Sequence, residues 1–420
     1  MFDPDAIRIA DYHYPLPDDL IAQSPLAERD ASKLLVHKPG GITQDIFSNI
    51  DRYLSSESLL VFNDTRVIRA RLIFFNAGGA RIEIFCLEPL MPVTSIAEAF
   101  TVKSGSTWKC LVGNLKRWKS GPLWMDCSDR HRQYRLSAVY DGDCGDGSHS
   151  ISFHWEPAET SFSEILGIAG LMPLPPYIHR STTPEDAERY QTIFASPEGS
   201  VAAPTAGLHF TGSVLEKLRR KGISTASVTL HVGVGTFKPV SAEKISDHVM
   251  HHERIIVSRD TIVALRQNLG RPLIAVGTTS ARTLETLYWA GVKLIRGEGN
   301  EKPSVLQWDP YQETDGAPVS AAQALEALIG FLDSHGLDAY AGETQLMIVP
   351  GYRYRLLSGL ITNFHMPRST LLLLVAAMVG PGWRQAYDYA LANNFRFLSY
   401  GDSCLFFNQM TQQETPAMHA

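Results

Sequence analysis

The chain has 420 residues, a formal net charge of −6, 44% hydrophobic and 20% charged residues. That balance excludes a disordered, collagen-like or coiled-coil chain, and a chain this long commonly divides into at least two domains with separate cores. Because acidic residues outnumber basic ones, a polyanionic partner has to be met by a local basic patch. The five cysteines, Cys86, Cys110, Cys127, Cys144 and Cys404, form no C-x-x-C pair. They fit neither a disulfide framework nor a thiolate zinc site, and a reducing cytoplasm is the expected location. Asp3 and Asp5 stand where a secretory signal would be basic, and the longest apolar run, Leu371 to Val379, is far short of the roughly 20 residues that cross a bilayer. Neither a signal nor a membrane span is expected.

In chain order, residues 1–65 are too short to close a core of their own. From Arg66 to Glu156 the sequence breaks into RARLIFF, RIEIFCLE, TWKCLVGN, GPLWMDC, QYRLSAVY and SISFHWE, separated by turns such as Asn76-Ala77-Gly78-Gly79. About six strands at this spacing read as a small antiparallel barrel or sandwich. This piece carries 12 Lys and Arg against 9 Asp and Glu, the sign that an RNA-facing module needs. Glu185 to Tyr190 opens a helix with acids in its first turn. Thr211 or Ser213 caps a helix carrying Val214, Leu215 and Leu218 on one face, and Gly222 ends it. The strand VTLHV follows. Leu273 to Gly277 is a strand leading through Thr278-Thr279-Ser280 into the helix ARTLETLYWA, which Gly291 is expected to stop, and Leu360 to Asn363 leads into the apolar helix LLLLVAAM. Gly297 to Gly316 reads as a surface loop, and the last dozen residues as a frayed tail. The expected fold is α/β: a discontinuous major domain (1–65 and 157–420) with residues 66–156 inserted as a small antiparallel β-barrel.

Several familiar signatures fail. Gly233 and Gly235 have the spacing of a dinucleotide turn, but Lys238 holds the third glycine's position, and no G-K-S or G-K-T exists for a P-loop. Gly401-Asp402-Ser403-Cys404-Leu405 misses a nucleophile elbow by its last residue. His251-His252-Glu253 lacks the second His of H-E-x-x-H, so no metal site is expected.

What remains is a set of strand-end loops crowded with polar and imidazole groups: Asn63-Asp64-Thr65-Arg66, Thr205 to Phe210, His231 with Gly233 and Gly235, Thr278-Thr279-Ser280 with Arg282, Thr362 to His365, and Tyr400-Gly401-Asp402. Backbone N–H groups at the start of the helix after Thr279 can hold a carboxylate or phosphate, helped by Arg282, or Thr279 and Ser280 serve only as caps. Asp64 either organises a turn or works chemically. His209, His231 and His365 each read singly as ordinary hydrogen-bonded histidines, but together, beside Gly- or Asn-containing strand ends, they point to acid–base chemistry. Arg69 and Arg71 share a strand face with Arg66 at its start, a solvated edge or an RNA phosphate track. Lys116-Arg117-Trp118-Lys119 places an aromatic in a basic run, suited to base stacking or to a hairpin tip.

Through these residues the chain resembles the S-adenosylmethionine:tRNA ribosyltransferase-isomerases, which build epoxyqueuosine in bacterial tRNA. The resemblance runs through Asp11-Tyr12 with LPDDLIAQSP, NDTRVIRARL, MPLPPYIHR, ERYQTIFA, VAAPTAGLHFT, VTLHVGVGTFKPV, HHERI, AVGTTSARTLE, PGY, LITNFHMPRSTLLLLV and SYGD. About a dozen ordered blocks are far more specific than one short motif. The barrel-like insert and the stretch from Gly299 to Gly316 depart from the family pattern.

The resemblance implies transfer of the ribosyl part of S-adenosylmethionine to 7-aminomethyl-7-deazaguanine at the tRNA wobble position, with loss of adenine and methionine. S-adenosylmethionine is a substrate, and no further cofactor or metal is implied. The expected partners are tRNA and S-adenosylmethionine, with no membrane, and the chain is expected to be a monomer. The chemistry requires a base for the C–H beside the sulfonium, assistance to adenine departure and a polar site for the methionine carboxylate. The expected roles are His209 or His231 as base, Asp64 or Asp402 on the purine, and Thr279 with Arg282 at the amino-acid end. Asp11, Asn63, Thr65, Thr205, Gly207, Gly233, Gly235, Thr236, Thr278, Asn363, His365 and Tyr400 complete the substrate site, while Arg66, Arg69, Lys116 and Arg117 face tRNA. Two other classes compete: a nucleotide-dependent oxidoreductase, which the missing third glycine disfavours, and a non-catalytic tRNA-binding protein, which would release no adenine.

Overall fold

The computed structural model describes residues 3–196, 198–232, 240, 242–298, 303–312 and 318–408. Strands β1 (Lys33–Lys38), β2 (Gly41–Ile46), β3 (Leu59–Asn63) and the short β4 (Arg66–Val67) come first. Six strands follow: β5 (Arg71–Phe75), β6 (Arg81–Met91), β7 (Gly105–Gly113), β8 (Leu123–Ser128), β9 (Gln133–Asp143) and β10 (His149–Glu156). They close into a barrel in the order β10-β7-β6-β5-β8-β9, with antiparallel neighbours throughout. Period-two alternation fills it: Leu72, Phe74, Ile82, Ile84, Trp108, Leu136 and Phe153 are buried inside, while Phe75 and Trp124 face out. Helices α1 (Ile96–Thr101) and α2 (Phe162–Ala169) add Phe100 and Phe162 to that core. A capping box between Ser161 and Glu164 starts α2. Arg66 and Val67, expected in the barrel, instead pair in parallel with β11 (Glu198–Ser200).

The remaining strands are β12 (Ser224–Leu230), β13 (Glu253–Ser258), β14 (Leu273–Val276), β15 (Ala339–Thr344), β16 (Gly359–Asn363) and β17 (Ser403–Phe407). With β1–β3 they form a nine-stranded sheet ordered β15-β13-β12-β3-β14-β16-β17-β1-β2. The sheet thus takes strands from both sides of the barrel segment. Its centre, β12-β3-β14-β16, is parallel; β13 and β15 continue antiparallel on one side, and on the other β17 joins β16 antiparallel, β1 joins β17 in parallel and β2 joins β1 antiparallel. Of the central strands, β3, β14 and β16 are buried on both faces, as apolar runs such as LLVF and LIAV require, while β12 is buried only from Val228 to Leu230. Leu59, Val61, Ala275 and Leu360 pack on one face, and Leu60, Phe62, Ile274 and Ile361 on the other.

Helices α3 (Asp186–Arg189), α4 (Gly212–Arg220), α5 (Arg259–Gln267), α6 (Thr278–Ile295), α7 (Ala321–His335), α8 (Thr370–Val379) and α9 (Gly382–Ala392) complete the molecule. Thr211 caps α4 through Val214 N, and Gly222 follows it at φ +86°. Helix α6 does not stop at Gly291. A Cβ there would lie 2.1 Å from the Ala324 carbonyl oxygen of α7, so this glycine permits close helix packing rather than ending the helix. Although its sequence is rich in Thr, Ser, Arg and Glu, α6 is buried from Thr279 to Val292. Ser280, Thr283 and Thr286 donate to the carbonyls of Val276, Thr279 and Arg282. Glu285 accepts from Tyr352 Oη at 2.7 Å and from the N–H groups of Arg355, Leu356 and Leu357. The expected surface loop is also partly wrong: Val305 is buried and bridges to Thr344, and Tyr311 Oη donates to Met347 O at 2.8 Å. Among the described residues no helix is long and apolar enough to cross a membrane.

Candidate functional site

The parallel centre of the sheet sends four strand ends the same way, and ligands on such sheets bind beyond the carboxyl ends. A cavity of about 420 Å³ lies there. Its polar wall is Thr205, Gly277, Thr278, Thr279, Thr362, Asn363 and His365, and its apolar wall includes Ile21, Ala202, Val232, Leu371 and Leu398. Gly277 makes the sharp turn from β14 into α6 at φ +92°, and among the described residues no side chain caps the helix, so there the first N–H groups of α6 are open to an anion at the cavity wall. Asn63, buried at the end of β3, donates to Thr279 Oγ1 at 3.2 Å and to Leu230 O at 3.0 Å, fixing the Thr279 hydroxyl from behind.

A second line of support runs under Asn363. The Thr205 hydroxyl donates to Asn363 Oδ1 at 2.8 Å, which turns the amide nitrogen toward His209 Nε2 at 3.0 Å. His209 Nδ1 then carries the ring proton and meets Ser32 Oγ at 2.9 Å, with the Arg29 carbonyl also against the ring. Both ring nitrogens are engaged, and His209 lies behind the cavity wall rather than in it. Burial holds its pKa down at about 4. His365 lines the cavity itself, pulled down to about 3 by burial. The buried Thr362 hydroxyl meets its Nε2 at 2.9 Å; with the hydroxyl as donor, the ring proton sits on Nδ1.

These buried imidazoles make a testable statement about stability. A histidine at about 4 when folded and 6.5 when free takes its proton first in the unfolded chain. Its contribution is therefore intact above pH 6.5 and lost progressively as pH falls toward 4. For the fully buried His209 the loss amounts to about 3 kcal/mol. The thermal midpoint is expected to fall steadily across that window in a calorimetric pH series, and a flat response between pH 6.5 and 4 would contradict the buried, neutral state.

The other expected residues do not all converge. Thr205, Thr278, Thr279, Asn363 and His365 line the cavity, with Asn63 directly behind it. His231 lies in a separate cleft of about 750 Å³ between the barrel and the sheet edge, which shares Val232 with the first cavity. Its ring packs against Gly199, where a Cβ would come within 2.6 Å of Cε1. Nδ1 meets Thr65 Oγ1 at 3.1 Å, and burial, then the charge of Arg254, lowers its pKa to about 4. Asp64 accepts from Thr229 Oγ1 at 2.7 Å. Asp402 is buried and accepts from Lys33 N at 3.0 Å and Arg396 N at 2.8 Å, tying β1 to the segment before β17. Tyr400 Oη donates to Asp186, which Arg180 holds in a bidentate pair. Gly207 packs under Thr192 and Phe194, where a Cβ would come within 2.8 Å. Arg282 is buried in an ion pair with Glu253. Asp11 lines a surface pocket with Trp383 and Arg384. Arg66 and Arg69 line a pocket of about 240 Å³ beside α2 and α3, with Arg69 Nη1 donating to Gly167 O at 2.7 Å. Lys116 and Arg117 are exposed at the barrel's end. Gly233, Gly235 and Thr236 lie outside the described residues. Among the described residues no group of three His, Cys, Asp or Glu side chains is placed to hold a metal ion.

Cavity residues missing from the expectation are Asp18, Ile21, Tyr177, His179, Leu398 and Ser399. Tyr177 Oη meets Ser399 Oγ at 2.6 Å, and burial pushes it up to about 12. The blocks LPDDLIAQSP, MPLPPYIHR and SYGD contain most of these residues and were the only sign of them.

A family model described as "Queuosine biosynthesis protein" matches residues 9–406. A protein of Trichlorobacter lovleyi named S-adenosylmethionine:tRNA ribosyltransferase-isomerase is 37% identical over 402 residues, 94% of this chain and 99% of that one. One of the same name from Thermotoga petrophila is 39% identical over 404 residues, 95% of this chain and 99% of its own. The crystal structure of S-adenosylmethionine tRNA ribosyltransferase from Thermotoga maritima at 2.00 Å resolution is 30% identical, covers 94% of this chain and 99% of that chain, and superposes with a TM-score of 0.44. The chain belongs to the queuosine biosynthesis proteins, the family of S-adenosylmethionine:tRNA ribosyltransferase-isomerases.

Proposed function

We propose that the chain transfers and isomerises the ribosyl moiety of S-adenosylmethionine onto 7-aminomethyl-7-deazaguanine at the wobble position of tRNA, yielding epoxyqueuosine, adenine and methionine. It would act as a monomer in the cytoplasm, with S-adenosylmethionine as a substrate and no added cofactor. The observation that carries this reading is the 420 Å³ cavity, which joins an uncapped helix start to an apolar flank and one neutral imidazole. In this reading the methionine carboxylate sits on the N–H groups at the start of α6, next to the Thr278 and Thr279 hydroxyls. The purine lies on the apolar flank, near Tyr177, Ile21 and Leu398. His365 Nδ1–H donates to the purine as the bond to the sugar breaks, which assists departure without requiring an imidazolium. Asp18, the carboxylate of the cavity wall, faces the sulfonium and is the candidate to take the acidified proton from the neighbouring carbon. Asn363, held by Thr205 and His209, offers its carbonyl oxygen to a donor group of the substrate.

The deciding experiment incubates the protein with S-adenosylmethionine and an anticodon stem-loop RNA carrying the aminomethyl base. The expected outcome is release of free adenine together with a gain in RNA mass matching the transferred ribosyl group. Binding of both substrates with neither product would leave only a tRNA-binding protein and end this reading.

A further inference from the structure

Two large aromatic side chains stand in solvent on the outside of the barrel. Phe75 is 58% exposed and Trp124 is 51% exposed. They are direct cross-strand partners, and their pair is the register between β5 and β8, so the two rings rise side by side from one surface. Nothing in the barrel core requires them there, because the inward positions beside them, Phe74 and Leu123, already fill it.

The surroundings of this pair are cationic. The Arg135 guanidinium lies 4.6 Å from the Trp124 ring centroid. Arg81 is the cross-strand partner of Phe75 on its other side. The exposed Lys116, Arg117 and Lys119 are drawn to the same end of the barrel, where Asn76 Nδ2, next to Phe75, donates to Arg117 O at 2.8 Å. Against these five cations stand Asp126, 3.7 Å from Arg135, and Glu83, 3.1 Å from Arg81. Exposed aromatic faces within a cationic surround suit one occupant: unpaired bases stacking on the rings, with their phosphates met by Arg and Lys. A protein partner would match the apolar area but would leave the cations unanswered.

We propose that Phe75 and Trp124, with Arg81, Arg135 and the 116–119 turn, form a stacking platform for unpaired nucleotides of the tRNA substrate, separate from the nucleotide that reacts. The inference rests on the tRNA reading above. The separation follows from position on the barrel: Trp124 lies on β8, across from β7, and Phe75 and Arg81 pair at the start of β6, whereas the cleft adjoining the catalytic cavity is lined from Leu87 onward along β6 and by Lys109 and Leu111 of β7. The platform therefore holds bases remote from the wobble position and adds affinity for the whole tRNA.

Phe75→Ala/Trp124→Ala tests this directly, because both side chains are exposed and their loss leaves the barrel core intact. With full-length tRNA bearing the aminomethyl base, the double variant is expected to raise KM roughly tenfold or more with kcat unchanged. With the anticodon stem-loop alone, its kinetics should equal wild type. Lys116→Ala/Arg117→Ala should weaken full-length tRNA binding and reduce the salt slope by about one to two. Unchanged KM and salt slope with full-length tRNA in both variants would overturn the platform. So would a wild-type dimer in sedimentation that Trp124→Ala converts to monomer, since the rings would then serve self-association. If wild type releases no adenine with either RNA, the tRNA reading itself has failed, a result distinct from both.

Discussion

Turnover of the His209→Ala protein is expected to drop by roughly two orders of magnitude, the usual consequence of a reacting-site group displaced by about an ångström, whereas His209→Gln should stay within about tenfold of wild type. The difference follows from what His209 touches. Its Nε2 accepts from Asn363 and its other nitrogen faces Ser32, so neither is free to take a proton from substrate. Alanine takes the 3.0 Å acceptor from the buried Asn363 amide nitrogen, whose other contact is Asp402 O at 3.5 Å, and a partner from the Ser32 hydroxyl, and lets the amide rotate away from Thr205. The Gln Oε1 can accept from Asn363 Nδ2 and keep the cavity carbonyl in place. A base would behave differently: Gln and Ala would be equally inactive, and the acidic limb of the pH–rate profile would vanish in both. Steady-state kinetics from pH 5 to 8 for the three proteins separates positioning from proton transfer. The Gln variant also removes a buried imidazole, so its thermal midpoint should lose less than wild type between pH 6.5 and 4.

The barrel was legible because outward and inward residues alternate along each strand, as in RIEIFCLE, and turn residues separate the runs. The central sheet was legible for another reason: strands buried on both faces read as unbroken apolar runs such as LLVF and LIAV. What failed was tertiary. Gly291 has the local signature of a helix end, and only the Ala324 carbonyl beside it shows that the glycine serves packing. Helix α6 looks amphipathic in sequence yet is buried nearly all round, because its hydroxyls bond to its own carbonyls. At the site, the loops could be named from their polar strand ends, but depth could not. Asn363 and His209 are both polar and both near strand ends, and only the fold places one on the cavity wall and the other behind it. Asp402 is legible in sequence as a carboxylate near a strand end, and only the fold shows that its oxygens accept from the N–H groups of Lys33 and Arg396 and pair with the Arg396 guanidinium at 3.4 Å. Tyr177, Ile21 and Leu398 come from distant parts of the chain, and only the fold brings them to one wall.

Arg282→Met should be the most destabilising single change among the residues first expected to bind substrate, costing about 3–5 kcal/mol. Arg282 sits one turn into α6 and is only 7% exposed, and its guanidinium pairs with Glu253, which is itself 2% exposed and at the start of β13. The pair therefore ties the helix whose start lies at the cavity wall to the antiparallel flank of the sheet. Removing the cation takes the guanidinium from a buried carboxylate that His251 Nε2 also meets at 3.1 Å. That is far more costly than losing the pair as a whole, because two charges removed together take their desolvation penalty with them. Arg282→Met/Glu253→Leu is accordingly expected to recover most of the stability lost by Arg282→Met, giving a coupling energy of about 2–3 kcal/mol in urea denaturation of the four proteins. If Arg282 instead held the methionine carboxylate, the double variant would be stable but would show a KM for S-adenosylmethionine raised by roughly a hundredfold. Near-wild-type KM together with restored stability would assign the guanidinium to the scaffold, leaving the start of α6 to hold the carboxylate.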